Sequence, residues 1–456
     1  MVSNRRRSWL FFIGLQLFFL GMFAAYGIGV YNDSEQYISM HIHREPLYPL
    51  FLALFRTMAG KSAGLTLAVA VQNILTAGSI YCLIEYLRKK FSLSIIEELV
   101  LLILELMPHL VTRYVSAYGI FLESSIMSEA ICIPLFQFFI LFTLRMIYER
   151  KKTDTIWSLM FAWLLSMTRG QMMTTIIMWM VIVGFMLIIR KQYKRLLIPL
   201  LAVVCAFGFR SLSVHTYNYF ITGYFMGNTY GQVNTLTNVI YACDEEDGEV
   251  FEEGSLEREF FGRFYAGADA MGANYKYGGD TFTERVEHLE EYHDKLKFDV
   301  LEAGFSAYYW TLEETDSYYK QSSMSDEMAG KMLGKLLPVC FAQWLYDYIL
   351  LCTYGFIRSI AVVHPLINWI ALLLYTVSVV LAIWQLQRTK ESNAVWMMSV
   401  ALLFIAANVC ATSMTIMCLS RYMIYGFSPF YMALFLLGRE MFIDRTEIVS
   451  AEKSSI

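Results

Sequence analysis

The sequence predicts an all-α polytopic membrane protein with about ten transmembrane helices. Of its 456 residues, 57% are hydrophobic and only 17% are charged, and the mean hydropathy is +0.46. Apolar runs long enough to cross a hydrocarbon core of ~30 Å recur along the chain. The formal net charge of −4 carries little information, because basic residues lie between apolar runs while acidic residues collect in one long polar region. No nucleic-acid footprint is visible, so the expected surroundings are a lipid bilayer.

The first apolar run covers residues 9–30 and follows three arginines, Arg5, Arg6 and Arg7. It is too long for a signal-peptide core, which predicts an uncleaved first span with a cytoplasmic N-terminus. Residues 47–59 are apolar but too short to cross, so they predict an interfacial helix. The other predicted spans are 63–87, 95–111, 126–147, 156–167, 172–189, 196–214, 366–384, 395–417 and 422–437.

Basic residues fix the orientation of these spans. Clusters at 88–90, 150–152 and 190–195 separate successive pairs of apolar runs, as cytoplasmic loops do under the positive-inside rule. Arg388 and Lys390 lie in a further loop of this kind. The pattern predicts a multi-pass protein of the cell membrane with both termini in the cytoplasm and the remaining turns outside.

The polarity of the chain predicts three regions. Residues 1–214 form an N-terminal transmembrane catalytic module with seven spans and a first outside loop at 31–62. Residues 215–361 form an extracytoplasmic loop domain with interfacial helices, and 362–456 form the C-terminal spans and a short tail. Inside the loop domain, apolar spacing predicts one helix over 286–300, and Ser325 is expected to open another that runs to Leu345.

Charged side chains gather where the chain leaves the first span. Asp33, Glu35, His41, His43 and Arg44 all lie within twelve residues, and charge at a membrane boundary must be solvated, paired or used. The pattern predicts a reaction centre. Two other interpretations stay open. Asp33 could be a helix N-cap or a solvated boundary residue, and the two histidines, which would share one face of a strand, could bind a metal.

Further charges recur at other boundaries predicted to face outward. Glu123 and Glu129 precede or open the fourth span, while Arg169 and Arg421 lie at later ones. Helices distant in the chain therefore bring opposite charges to one leaflet. We expect a water-accessible cavity there, suited to a substrate with a lipid tail and an anionic head. The competing interpretation is that Arg169 and Arg421 only extend their charged ends to the outer membrane interface and bind no substrate.

The motifs in this order resemble a known family. An acidic residue follows the first span, Arg44-Glu45-Pro46-Leu47-Tyr48-Pro49 reads as Arg-x-Pro-x-Tyr-Pro, and Ser128-Glu129, Thr168-Arg169 and Ser420-Arg421-Tyr422 follow. Together they resemble the C-type fold (GT-C) glycosyltransferases. Among these the chain is most similar to the bacterial relatives of protein mannosyltransferases and aminoarabinose transferases. The resemblance covers the first seven spans, and the last spans loosely.

The resemblance implies transfer of a sugar from a polyprenyl-phosphate carrier to a glycan, lipid or protein acceptor on the extracytoplasmic face, with inversion. Such chemistry belongs to cell-envelope polysaccharide biosynthesis. Asp33 is expected to be the general base, because a hydroxyl is a poor nucleophile without a proton acceptor. Glu129 is expected to orient the acceptor or hold a catalytic arginine. Arg169, Arg421 and Arg44 are expected to bind the donor phosphate, since a guanidinium matches it and stays charged.

Other residues are expected at the edge of the site. Glu35, His43, Tyr48 and Glu123 are candidates for substrate binding. No cofactor is predicted; the resemblance leaves open a divalent cation held by acidic residues. The eight cysteines, most of them inside apolar runs, are expected to act as small apolar side chains.

Two other functions compete with this one. A polysaccharide polymerase or ligase of the O-antigen type also uses lipid-linked glycans, and its outside loop would supply catalytic arginines, here Arg258, Arg263 and Arg285. A transporter often shows internal repeats with broken spans at matched positions. No such symmetry is visible in the sequence.

Overall fold

The computed structural model describes residues 2–114, 119, 121–229, 231–312, 315, 317–389 and 391–454, without the side chains of residues 2–5 and 443–454. Within these residues the regular secondary structure is helical, and no strand forms. A single parallel bridge joins Gly29 to Ser125. The predicted all-α class is confirmed.

The helices fall into two compact units. The first unit comprises Met1–Arg210, Ser359–Ala407 and Ser420–Ile456, and the second comprises Ser211–Arg358 and Asn408–Leu419. The early helices of the first unit are α1 Val2–Tyr26, α2 Ser34–Ile38, α3 Leu47–Ala59, α4 Lys61–Phe91, α5 Ile95–Tyr114, α6 Glu129–Glu149, α7 Lys152–Ser166 and α8 Thr174–Ile189.

Helix α9, Leu197–Thr222, runs from the first unit into the second. The helices that follow are α10 Gly231–Tyr241, α11 Leu256–Ala270, α12 Phe282–Lys295, α13 Ala303–Tyr309, α14 Tyr318–Val339, α15 Phe341–Ile360, α16 Pro365–Thr389, α17 Asn393–Thr415, α18 Ser420–Met423 and α19 Phe427–Ser454.

Seven helices of the described chain are long and apolar enough to cross a membrane, or eight if the bent pair α14 and α15 counts as one broken span. This confirms a polytopic membrane protein, while the predicted count of ten stays a prediction. Three of the expected spans are not among the seven: 95–111, 156–167 and 422–437, the last of which is divided among α18, a short 3₁₀ turn and α19. Helix α5 carries Glu97, Glu98 and Glu105, and α7 has only 15 residues, short of the ~20 that a bilayer requires.

Helix α3 lies within the region 31–62 that was predicted to be the first outside loop, and it packs closely against α4. Gly60 joins them with φ of 84°, a conformation that L side chains avoid. A Cβ at Gly64 would lie 2.5 Å from the Cα of Arg56, so only glycine permits this approach. The predicted helix over residues 47–59 is confirmed at those bounds.

In the second unit, one predicted helix is confirmed and one start is wrong. Thr281 and Glu284 form a capping box that opens α12, and a π-helical turn, Leu296–Glu302, extends it. Helix α14, however, begins at Tyr318, because the Ser317 hydroxyl caps the amide of Lys320. The predicted opening residue Ser325 lies inside the helix, where its hydroxyl donates to the carbonyl of Gln321.

The predicted run to Leu345 is also interrupted. Helix α14 ends at Val339, and α15 leaves at an angle of 100° to it. Pro338 lies in the last turn of α14; its ring removes one backbone donor. The apolar segment therefore folds as two helices.

Candidate functional site

The chain that leaves α1 is tied to the segment that precedes α6. The amide of Gly29 donates to the carbonyl of Ser124 at 2.9 Å, and the amide of Ile126 donates back to Gly29 at 2.8 Å. The Ser34 hydroxyl donates to the carbonyl of Ile126 at 2.8 Å. These bonds place the start of α2, next to Asp33, beside the start of α6, which begins at Glu129.

Asp33 is held between two arginines from opposite ends of the sequence. Its Oδ1 lies 2.9 Å from a terminal nitrogen of Arg44, and its Oδ2 lies 3.2 Å from a terminal nitrogen of Arg421. The residue occupies the N-cap position of α2, but its side chain makes no capping hydrogen bond. With 27% of its side chain exposed, Asp33 is available to a ligand while it balances two cations.

The two arginines control the ionisation of Asp33. Burial alone would raise the pKa of this carboxyl group, but the charges of Arg44 and Arg421, with their hydrogen bonds, outweigh it and hold the pKa below its ordinary value. Asp33 is therefore ionised at neutral pH.

Glu129 and Arg169 form a second, more deeply buried pair. A terminal nitrogen of Arg169 lies 2.5 Å from Glu129 Oε1 and donates to the Ser128 hydroxyl at 3.2 Å. That hydroxyl lies 2.9 Å from the Tyr37 hydroxyl. The side chain of Glu129 is only 1% exposed and that of Arg169 is 12% exposed. This pair at the opening of α6 is thus linked to α2 through Ser128 and Tyr37.

Tyr422 joins the two ion pairs into one group. The guanidinium carbons of Arg169 and Arg421 each lie 4.9 Å from the centre of its ring, within the range of a cation–π contact. Arg421 also donates to the Tyr422 hydroxyl at 2.9 Å, and Gln171 donates to the Tyr422 carbonyl at 3.1 Å. We call this group the Asp33 cluster: Asp33, Arg44, Glu129, Arg169, Arg421 and Tyr422.

The loop between α2 and α3 is fixed beside the cluster by contacts on several of its residues. Arg44 donates to the Gln36 side chain at 2.8 Å and lies over the Tyr37 ring at 4.8 Å. Glu45 is buried and forms an ion pair with Arg210 of α9. The Leu47 amide donates to the Met167 carbonyl at 2.9 Å. The loop therefore has a defined conformation, which sets where Arg44 points.

The other predicted substrate-binding residues lie outside these contacts. Glu35 is exposed, and His43 packs on His41 with ring centres 4.5 Å apart. Tyr48 is fully buried, with its hydroxyl 3.3 Å from the carbonyl of Ser125. Glu123 is fully buried and pairs with His109 of α5. Their predicted roles stay predictions.

Sequence reasoning missed several residues that shape the site. Gln36 and Tyr37 orient Arg44 through the hydrogen bond and ring contact described above, and Gln171 accepts a hydrogen bond from Arg169 at 3.4 Å. Tyr422 entered only as part of a motif. A spacing signal existed for Tyr37, which lies four residues after Asp33 on one helical face. None existed for the contact between Gln171 and Tyr422, because 251 positions separate the two residues.

The chemistry of the Asp33 cluster favours an anion. Three arginines face two carboxylates, which leaves one formal positive charge, and Asp33 is the more exposed of the two acids. Guanidinium groups bind phosphate through paired, charge-assisted hydrogen bonds. Among the described residues, no group of three or more His, Cys, Asp or Glu could hold a metal ion.

The Asp33 cluster lies wholly within the first unit, so one compact body carries every member of it. Comparison with known proteins finds no matching family model, no similar curated protein and no similar solved structure.

Proposed function

We propose that the protein is a membrane glycosyltransferase that moves a sugar from a polyprenyl-phosphate-linked donor to an acceptor on the extracytoplasmic face, with inversion. The observation that carries this proposal is the Asp33 cluster, in which one partly exposed carboxylate lies among three arginines. Proton removal and anion binding are the two tasks that such a transfer requires, and the cluster has the groups for both.

Asp33 serves as the general base. A carboxylate within hydrogen-bond reach of an acceptor hydroxyl removes its proton as the hydroxyl attacks the sugar. The ionised state that Arg44 and Arg421 impose on Asp33 suits a base, although the lowered pKa makes it a weak one. When the donor phosphate takes its place beside Arg421, it replaces part of that ion pairing, and the basicity of Asp33 rises.

The arginines stabilise the leaving group. The phosphate gains negative charge as the glycosidic bond breaks, and donors already aimed at that charge lower the barrier. Arg421 and Arg44 meet the phosphate first, because both contact the exposed acid Asp33. Arg169 is held by Glu129 and acts through its position on the Tyr422 ring.

The lipid part of the donor fits the surroundings of the site. The first unit contributes several apolar membrane-crossing helices, so the carrier chain would stay in the bilayer while its phosphate reaches the cluster. The distribution of Lys and Arg between the apolar runs supports an outward-facing site.

The test is Asp33→Asn in a transfer assay with a polyprenyl-phosphate sugar and the purified full chain in lipid. Removal of the base is expected to slow transfer by about 10²–10⁴-fold. Asp280→Asn, an exposed aspartate in the second unit, is the matched control and is expected to leave transfer unchanged. Full activity of Asp33→Asn would contradict the base assignment.

A second comparison separates this proposal from a polymerase or ligase. Arg258, Arg263 and Arg285 donate to backbone carbonyls within the second unit, at 3.5, 3.5 and 3.0 Å. A polymerase or ligase would depend on them for catalysis. The glycosyltransferase proposal expects Arg285→Ala to retain transfer and Arg421→Ala to lose it; the reverse order would favour the alternative.

A further inference from the structure

A second group of buried acids lies in the first unit, away from the contacts of the Asp33 cluster. Glu105 and His109 project from successive turns of α5, Glu123 comes from the short 3₁₀ segment Leu122–Ser124, and Gln137 comes from α6. Their exposed fractions are 3%, 3%, 0% and 5%. We call these four residues the Glu105 cluster.

Half of the carboxylate oxygens in this cluster have partners. His109 Nδ1 lies 3.0 Å from Glu123 Oε2, and Gln137 Nε2 donates to Glu105 Oε1 at 2.5 Å. The other two oxygens, Glu105 Oε2 and Glu123 Oε1, are buried with no hydrogen-bond partner among the described residues. Within the same residues, no Lys or Arg forms an ion pair with either glutamate.

The missing positive charge does not lie in the undescribed sequence next to Glu123. Residues 115–118 and 120 are Val, Ser, Ala, Tyr and Ile, none of them cationic. The titratable groups that face Glu105 are His109 on its own helix and Tyr425, which comes from the Ile424–Gly426 turn. Glu123 reaches the cluster through His109.

Charge balance then requires a further cation. If His109 is protonated, it neutralises Glu123, and Glu105 still carries one unbalanced negative charge in an apolar bundle. Burying an unpaired carboxylate costs several kcal/mol, and proteins avoid it by neutralising the group. Glu105 therefore binds one positive charge in the folded protein.

The structure also provides space for it. A cavity of about 30 Å³ lies against Glu105, His109, Gln137, Tyr425 and Ser428, with apolar side chains forming the rest of its wall. This volume accommodates about two water molecules, or one small ion with its remaining water. No set of three or more His, Cys, Asp or Glu in the described chain could hold a metal ion, so a divalent ion lacks its usual ligands.

We propose that this cavity is a binding site for a single monovalent cation, either a proton or an alkali ion, with Glu105 as its main ligand. The site reaches the functional region through one short segment. Tyr425 lines the cavity and lies three residues after Tyr422.

The experiment measures the unfolding midpoint, Tm, of the purified full chain in detergent. One series replaces choline chloride by sodium chloride at constant pH and ionic strength, and a second varies the pH in choline chloride. If the ion is sodium, Tm rises with sodium, because each tenfold increase above the Kd multiplies the folding equilibrium constant about tenfold. If it is a proton, the folded state holds a proton that the unfolded chain releases, and Tm falls as the pH rises.

Variants assign the effect to Glu105. Glutamine is neutral and nearly isosteric with glutamate. The Tm of Glu105→Gln is therefore expected to lose the dependence on sodium or pH that the unchanged protein shows. Glu391→Gln, an exposed acid of the first unit, is expected to keep it. The proposal is overturned if the unchanged protein responds to neither cation, or if Glu105→Gln responds as strongly.

A second substitution decides the matter if Glu105→Gln does not fold. Glu105→Asp keeps the carboxylate but shortens its reach into the cavity by one methylene. The sodium concentration or pH at half-effect is then expected to shift, and an unchanged half-effect point overturns the proposal. These measurements need no sugar transfer, so they stand whether or not the proposed enzymatic function is correct.

Discussion

The Asp33 cluster and the Glu105 cluster each contain two carboxylates in the same compact unit, yet they differ in what balances them. Asp33 and Glu129 each lie against at least one guanidinium group. Glu105 and Glu123 share one imidazole and no described arginine or lysine. The first cluster therefore has an excess of positive charge, and the second has an excess of negative charge.

This difference indicates the sign of the ligand at each place. In the Asp33 cluster each carboxylate already pairs with an arginine, so the cluster is stable without a ligand. Its surplus positive charge can still bind an anion. A fully buried cluster with surplus carboxylate is stable only with a cation bound. Burial alone does not decide whether a cluster binds an anion or a cation, since Glu129 and Glu105 are almost equally buried. The neighbours decide it.

The sharpest way to break the comparison is to make the same substitution in both clusters. Glu129→Gln leaves Arg169 buried without its carboxylate, and the loss of one partner of a buried pair lowers the free energy of unfolding by about 3–5 kcal/mol. Glu105→Gln removes an acid that lacks a cationic side chain, so at alkaline pH without alkali ions it is expected to leave that free energy unchanged or higher. Denaturant titration of the two purified variants measures both values.

The comparison is tested by the difference between the free energies of unfolding of Glu129→Gln and Glu105→Gln. If Glu105→Gln destabilises the protein as much as Glu129→Gln does, Glu105 has a cationic partner and the distinction fails. Glu391→Gln serves again as the exposed control and is expected to change the free energy of unfolding by less than about 0.5 kcal/mol.

The fold was predictable where local pattern decides it. Apolar run length placed α1, α3 and α4, and the spacing of Val286 and Leu289 placed α12. The start of α14 was not predictable, because Ser325 is followed by the acidic residues Asp326 and Glu327 that are typical of a first helical turn. Ser317, which does cap the helix, is followed by two tyrosines. The number of spans depends on whether short helices such as α7 cross the bilayer, and amino-acid composition does not determine this.

The site was predictable in its members but not in its contacts. Boundary charge and motif order pointed to Asp33, Glu129, Arg169 and Arg421, which the structure brings together; their roles stay predictions. The pairing of Asp33 with Arg421 spans 388 positions, beyond any periodicity. Of the Glu105 cluster only Glu123 was predicted as a site residue. Glu105 and His109 were missed, because a lone Glu and His four residues apart in an apolar run give no sign of whether they face lipid or the bundle.

A more specific substitution sharpens the anion side of the comparison. Arg421→Ala removes one of the two cations beside Asp33 and the guanidinium on Tyr422, and is expected to slow sugar transfer by about 10²–10³-fold. Arg421→Lys keeps the charge but not the planar fork, so it should recover only part of the rate. Arg190→Ala, at an exposed loop position, is the control. Equal rates for all three variants would remove Arg421 from the phosphate site.

The smallest expected effect concerns pH. Asp33 has its pKa lowered in the folded protein, since Arg44 and Arg421 outweigh the opposing effect of burial. Its contribution to stability is therefore full above the pKa of the unfolded chain and is lost as the pH falls through the folded value. Arg44→Gln removes one of the two cations, so the pKa of Asp33 should rise and the acid limb of the transfer rate should move to higher pH. Rate–pH profiles of this variant and of Arg190→Gln measure the shift. An acid limb at the same pH in both variants would mean that a group other than Asp33 sets it, and that the carboxylate between the two arginines is structural.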